Sequence, residues 1–120
     1  MPTAKATFNG ILLAETSTWE EVEGNIYFPP SAIKDTLFAK SDHTTYCGWK
    51  GDAKYFSIVL GGIIFYFLAL YISNINRNML MLVDVTVPNA AWYYPEPFDK
   101  AKHIKDFVAF YPNKVDVKVE

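Results

Sequence analysis

A single cysteine, Cys47, is the only thiol in this chain of 120 residues. One thiol excludes an intrachain disulfide and a zinc site built from four cysteines, and it gives no pointer to an oxidising compartment. Basic charge is scarce too: 11 Lys and Arg stand against 13 Asp and Glu, for a formal net charge of −2. That balance argues against a nucleic-acid-binding face, which draws on clustered Lys and Arg. The opening Met-Pro-Thr-Ala-Lys is followed by no apolar run, so no secretory signal is expected. Repeats, low-complexity tracts, a P-loop, a dinucleotide fingerprint and a Ser-His-Asp order are all missing. The expectation is one cytoplasmic domain, residues 1–120, without cofactor or metal.

What is present is apolar and aromatic: 51% hydrophobic residues, 17% aromatic. The dominant hydrophobic period is two, which means strands. Asn9-Gly10 between Thr7-Phe8 and Ile11-Leu12 predicts a hairpin, because both turn residues tolerate positive φ. Asn25 to Phe28 reads as a short strand stopped by Pro29-Pro30. Ser31 then reads as the N-cap of a short helix, Ala32 to Phe38. Strands are expected over Thr44 to Trp49 and Ala53 to Val59, around a Lys50-Gly51-Asp52 turn, and over Ala91 to Tyr94. A short polar helix over Asp99 to Asp106 follows. Phe107 to Tyr111 and Val115 to Val119 read as a closing hairpin, with Val115, Val117 and Val119 inward. The fold class is mainly β with short helices.

One segment departs from this pattern. From Val59 to Ile75 the chain carries no charge, and the apolar character continues to about residue 83. A membrane span needs roughly 20 apolar residues, so the run is borderline in length. Lys54 and Arg77 at its flanks give little asymmetry to orient it. Residues 59–83 read as an apolar insertion between two strands, of the kind a retained intron or a recent insertion leaves. A membrane anchor and a core element are the alternatives.

Four stretches carry a resemblance: Val22 to Pro29, Ser41 to Tyr55 (SDHTTYCGWKGDAKY), Asn89 to Pro97 (NAAWYYPEP) and Ile104 to Val117. On these the chain resembles the family called domain of unknown function 427, small single-domain proteins of bacteria and fungi. Ile26 and Gly48 depart from that family's usual histidine and proline. The resemblance implies two antiparallel sheets leaning together into a tent-like cleft. A nucleotidyltransferase-like activity, also linked to the family, lacks support here, because paired metal-binding acids and a triphosphate loop are not visible.

Alternation sorts the second stretch. Extended backbone from Asp42 to Lys50 places Asp42, Thr44, Tyr46 and Lys50 on one face, up to any bulge at Gly48. Such a face is costly to bury unless its groups pair with one another or meet a ligand. Trp92, Tyr94 and Glu96 share a face in the third stretch, and aromatics beside a carboxylate suit a flat or cationic group. The plainer alternatives are a turn cap at Asp42, a solvated Lys50, core rings at Trp92 and Tyr94, and a surface acid at Glu96. His43 and Cys47, four apart in a strand, stand about 13 Å apart, so a Cys–His nucleophile is not expected. A metal site from His43, His103, Cys47 and Asp42 has no supporting spacing.

These readings combine into a soluble domain that binds a small polar or anionic molecule, whether or not it is an enzyme. Thr44, Tyr46, Lys50, Trp92 and Tyr94 are the expected ligand-binding residues, and Asp42 and Glu96 the candidate acid–base groups. The alternative is a non-catalytic module that docks a protein or peptide on its aromatic strip. A form tethered to membrane through the insertion is the remaining reading.

Overall fold

A computed structural model describes residues 2–61 and 85–120. Of the expected insertion at 59–83, Val59, Leu60 and Gly61 are described and the rest lies outside the described residues, as does the membrane-anchor reading attached to it. Among the described residues, no helix is long and apolar enough to cross a membrane.

Strands β1 (Ala4–Phe8) and β2 (Ile11–Thr16) form the expected hairpin. Asn9 and Gly10 take φ of 50° and 81°, the left-handed pair that a tight hairpin turn demands. Strands β3 (Glu20–Val22) and β4 (Asn25–Tyr27) make a second hairpin, turned at Glu23 and Gly24, also with positive φ. Strands β5 (Phe38–Cys47), β6 (Gly51–Leu60), β7 (Val85–Tyr93) and β8 (Val108–Phe110) build a four-stranded sheet in that order. Strand β9 (Asp116–Val119) adds to the free side of β1, giving a sheet ordered β2-β1-β9. Every named strand pair is antiparallel, so the mainly β expectation holds.

Three local expectations are corrected. Ala32 to Phe38 is not a helix but two 3₁₀ turns, Pro30–Ala32 and Asp35–Leu37. The Lys34 N–H is taken by the Leu13 carbonyl at 2.9 Å, and so short a segment cannot repay helix nucleation. The polar helix at Asp99 is likewise 3₁₀, over Asp99–Ile104. The closing hairpin does not form: β8 pairs with β7 and β9 with β1, in different sheets. Tyr111 accepts hydrogen bonds from the N–H groups of Lys114 and Val115, and that turn carries the chain across. Val115 is buried, whereas Val119 is exposed.

The four-stranded sheet is covered on both faces. Phe56, Ile58, Ala91, Tyr93, Val108 and Phe110 face a core shared with Ala4, Ala6 and Leu13 of the three-stranded sheet. Ala53, Tyr55, Trp92, Tyr94 and Ala109 face a second core with Val22 and Tyr27 of the β3–β4 hairpin and with Ala101 and Ile104. Phe28 and Val108 exchange both backbone hydrogen bonds at 2.8 Å, which fastens that hairpin to β8.

Candidate functional site

Register decides which side chains can meet. Directly paired residues of an antiparallel ladder project to the same side of the sheet, and their neighbours to the other. Thr44 pairs with Lys54, Tyr46 with Asp52, and Lys54 in turn with Tyr93. Thr45 pairs with Ala53, and Tyr55 with Trp92. Thr44 and Tyr46 therefore lie on the face opposite to Trp92 and Tyr94. The expected residues do not converge in one hollow; they divide between the two sides of the sheet. Asp42 falls where β5 bulges against β6, between Lys40 and Thr44, and is exposed, outside the groove described below.

On the Trp92 side the centre is Lys50, at 6% exposure the one buried charged residue among those described. The turn that follows β5 reverses the chain at Gly48 to Lys50 and sends this side chain inward. Its ammonium is paired with the Glu23 carboxylate and lies 5.4 Å from the ring centres of both Trp49 and Tyr94. Burial disfavours that charge. The hydrogen bond it donates to Glu23 and the nearby Tyr27 and Tyr94 outweigh the burial, and the pKa of Lys50 is raised. The same bond lowers that of Glu23. Burial raises the Tyr94 phenol, against the pull of Lys50.

Trp92 is a buried anchor. Its indole N–H donates to Tyr27, and its ring lies 4.6 Å from that of Tyr111. The Tyr111 and Tyr55 hydroxyls are 3.0 Å apart, and Tyr55 is again 3.0 Å from the Thr45 hydroxyl. His43 packs against Tyr55 with tilted rings, 4.5 Å between centres and 55° between planes, rather than meeting half-buried Cys47 as a dyad.

The other face carries an open groove of about 370 Å³ lined by Tyr46, Asp52, Lys54, Pro95, Glu96 and Phe98. Two of the expected residues, Tyr46 and Glu96, meet here from separate stretches. Tyr46 and Phe98 stand edge to face with ring centres 6.3 Å apart. The Lys54 ammonium is 3.5 Å from the Thr44 hydroxyl, which brings Thr44 to the rim. Gly51 makes the approach of Glu96 possible: a Cβ there would lie 3.3 Å from the Glu96 carbonyl oxygen, and its φ is 109°. The Phe98 N–H then donates to the Lys50 carbonyl at 3.0 Å, so one turn positions the buried lysine and the groove together. Chemically, the groove offers two carboxylates, one ammonium and two ring edges within one opening.

Sequence reasoning passed over Asp52, Lys54 and Phe98 in the groove and Glu23 beside Lys50. Asp52 and Lys54 had a signal, since they alternate with Ala53 and Tyr55 in β6 and so share a face. Glu23-Gly24 between two short strands was the other, a turn pair that fixes where the Glu23 carboxylate sits. Among the described residues, no group of three His, Cys, Asp or Glu side chains is placed to hold a metal ion.

A family model described as Domain of unknown function (DUF427) matches the chain in two pieces, residues 3–79 and 74–120. No curated protein matches it.

Proposed function

The chain belongs to the family of domain of unknown function 427, and from that premise we propose that it is a small-molecule-binding domain whose ligand lies in the Tyr46–Glu96 groove. The observation that carries this reading is the meeting of Tyr46 from β5 with Glu96 and Phe98, beyond β7, in one opening. Groups that far apart in sequence reach a common hollow only through the fold. Rings supply area with little conformational freedom to lose, and the acids supply orientation. Asp52 and Glu96 outnumber Lys54, so the groove suits a polar ligand bearing positive charge better than an anion. Lys50 supports the groove as a positioning residue, through its carbonyl, which accepts the Phe98 N–H, and the neighbouring Gly51 lets Glu96 approach. If the domain is an enzyme, Glu96 is the acid–base candidate that touches the ligand. A cytoplasmic setting belongs to this reading and rests on the lone Cys47.

A second reading is favoured by exposure: Tyr46 is 69% and Phe98 45% exposed, and an apolar pair of that kind also fits a docked partner. A metabolite library screened by thermal shift separates the two, because a ligand of the folded form must stabilise it by mass action. The expected result is a compound whose shift is lost in Tyr46→Ala and Glu96→Gln. A hit that shifts the parent and both variants equally removes the groove from the reading.

A further inference from the structure

The two hairpin turns of the fold differ in what they hold. Asn9-Gly10 closes β1–β2 with residues that accept left-handed backbone, whereas β3–β4 is closed by Glu23 at φ 55°. The other non-glycine residues described with positive φ, Asn9, Asn89 and Asp106, all have the short polar side chain that tolerates it. A glutamate held there is strained, and strain kept at one position points to a task for its side chain.

That side chain stands at a mouth. Glu23 is 52% exposed, while its partner Lys50 is 6% exposed and makes no other ion pair among the described residues. The bond from Lys50 first, and the Trp49 indole N–H after it, hold the Glu23 carboxylate below its ordinary pKa. The rings of Trp49 and Tyr94 wall the ammonium. Trp49 is 38% exposed, so its ring runs from the buried charge out to the surface. A buried cation, an indole N–H beside it and a ring leading outward make a receptor for a carboxylate with an apolar tail. Glu23 completes it from the solvent side, and rotation about its own side-chain torsions withdraws it without moving the backbone.

We propose that Lys50 and Trp49 form a binding site for a small aliphatic carboxylate, in which Glu23 is a resident stand-in that the ligand displaces. The site lies on the Trp92 side of the sheet and shares no lining side chain with the Tyr46–Glu96 groove, so it stands whether or not that groove binds a ligand. A buried ammonium demands an anion. An incoming carboxylate replaces one favourable pair with another, and its tail adds contact with the Trp49 ring. Glu23 competes from within the same chain and is always at hand, so removing its carboxylate exposes the site at full strength.

The test titrates the full chain with propionate, which reproduces the end of a glutamate side chain, and with propionamide and sodium chloride as neutral and ionic controls. The Trp49 indole N–H resonance is followed by NMR. Propionate is expected to shift it to saturation in the parent chain, and to bind Glu23→Gly at least about tenfold more tightly. Glycine suits the left-handed backbone at position 23, so that variant keeps its turn. Glu23→Gly combined with Lys50→Met is expected to lose the binding, and neither control is expected to move the resonance. Propionate should also raise the melting temperature of Glu23→Gly above its value in chloride of equal ionic strength. Equal affinity in the parent and Glu23→Gly overturns the inference, because Glu23 would then not occupy the site. Binding confined to the variant overturns it too, since Glu23 would be a fixed structural partner, and so does an equal response to chloride. If Glu23→Gly does not fold alone, refolding in propionate but not in propionamide supports the site, and failure in both overturns it.

Discussion

The indole N–H of Trp92 donates to the Tyr27 hydroxyl at 3.1 Å, and the two rings meet edge-on at 88°. The contact joins β7, at the centre of the four-stranded sheet, to the hairpin that carries Glu23. It therefore fixes where the partner of Lys50 stands. Both side chains are buried, so water cannot replace a lost partner.

Tyr27→Phe removes the acceptor and leaves the buried indole N–H without one. The expected cost is about 1 to 3 kcal/mol, the penalty for an orphaned buried donor. A urea titration should show a lower midpoint with an unchanged slope, since the surface exposed on unfolding is the same. An unchanged midpoint would mean that the indole finds another partner.

The Lys50–Glu23 pair makes stability depend on pH at both extremes. The folded-state pKa of Glu23 lies below its usual 4.5, so its contribution is complete above that pH and is lost as pH falls through the lower, folded value. Lys50 is raised above 10.5; its contribution is complete below that pH and is lost as pH rises through the folded value. Glu23→Gln should flatten the acid limb of a stability–pH curve. Because it leaves the buried ammonium unmatched, it should also destabilise the neutral-pH protein more than Glu23→Gln combined with Lys50→Met. The reverse ranking would show that the ammonium is adequately held by the rings of Trp49 and Tyr94.

Tyr111 provides a separate alkaline signal. Burial, followed by its hydrogen bond with Tyr55, pushes its phenol up to about 12. The unfolded chain releases this proton near 10.0 and the folded chain does not, so stability falls as pH rises between the two values. Ultraviolet titration of tyrosinate should show a late step that Tyr111→Phe abolishes. If the step survives that substitution, it belongs to another phenol.

The sequence showed the elements whose cause is local. Asn9-Gly10 carries its own turn, and alternation from Ala53 to Val59 places that strand whatever surrounds it. The misreadings share one physical origin, which is competition from a distant partner. Ser31 to Phe38 has the residues of a helix, but Leu13 and Ala14 capture its backbone by way of Lys34 and Ile33. Pro112-Asn113 has the residues of a hairpin turn, but β1 offers β9 a better edge than β8 does. At the site, alternation correctly grouped Thr44 with Tyr46 and Trp92 with Tyr94, but it misplaced Glu96, which lines the groove with Tyr46 because the strand ends at Tyr93 and the Pro95–Pro97 stretch no longer alternates. It could not give the phase between those two pairs, because that phase is set by which residue of β6 stands opposite each of them. The reversal of Lys50 was hidden for a similar reason: a turn at Gly48 resets the alternation, and the groups that hold the ammonium inward, Glu23 above all with Tyr27 and Tyr94, lie far along the chain.

The hairpin between β6 and β7 supplies the last test. Leu60 pairs directly with Val85, in a ladder that continues through Val59–Thr86 and Ile58–Val87. The residues that β6 and β7 give to both cores reach up to and include that pair, and the described residues complete both cores. Joining Leu60 to Val85 through Asn-Gly, in place of residues 61–84, gives the strands a connection whose twist matches their own. The closure entropy of a loop grows only with the logarithm of its length, so this shortening should stabilise the domain by about 2 kcal/mol. Circular dichroism should retain the β signature, the melting temperature should rise, and ligand shifts in the Tyr46–Glu96 groove should be unchanged. A shortened chain that fails to fold would show that residues 61–84 complete the domain, and would rule out reading the apolar stretch expected at 59–83 as an insertion into a finished one.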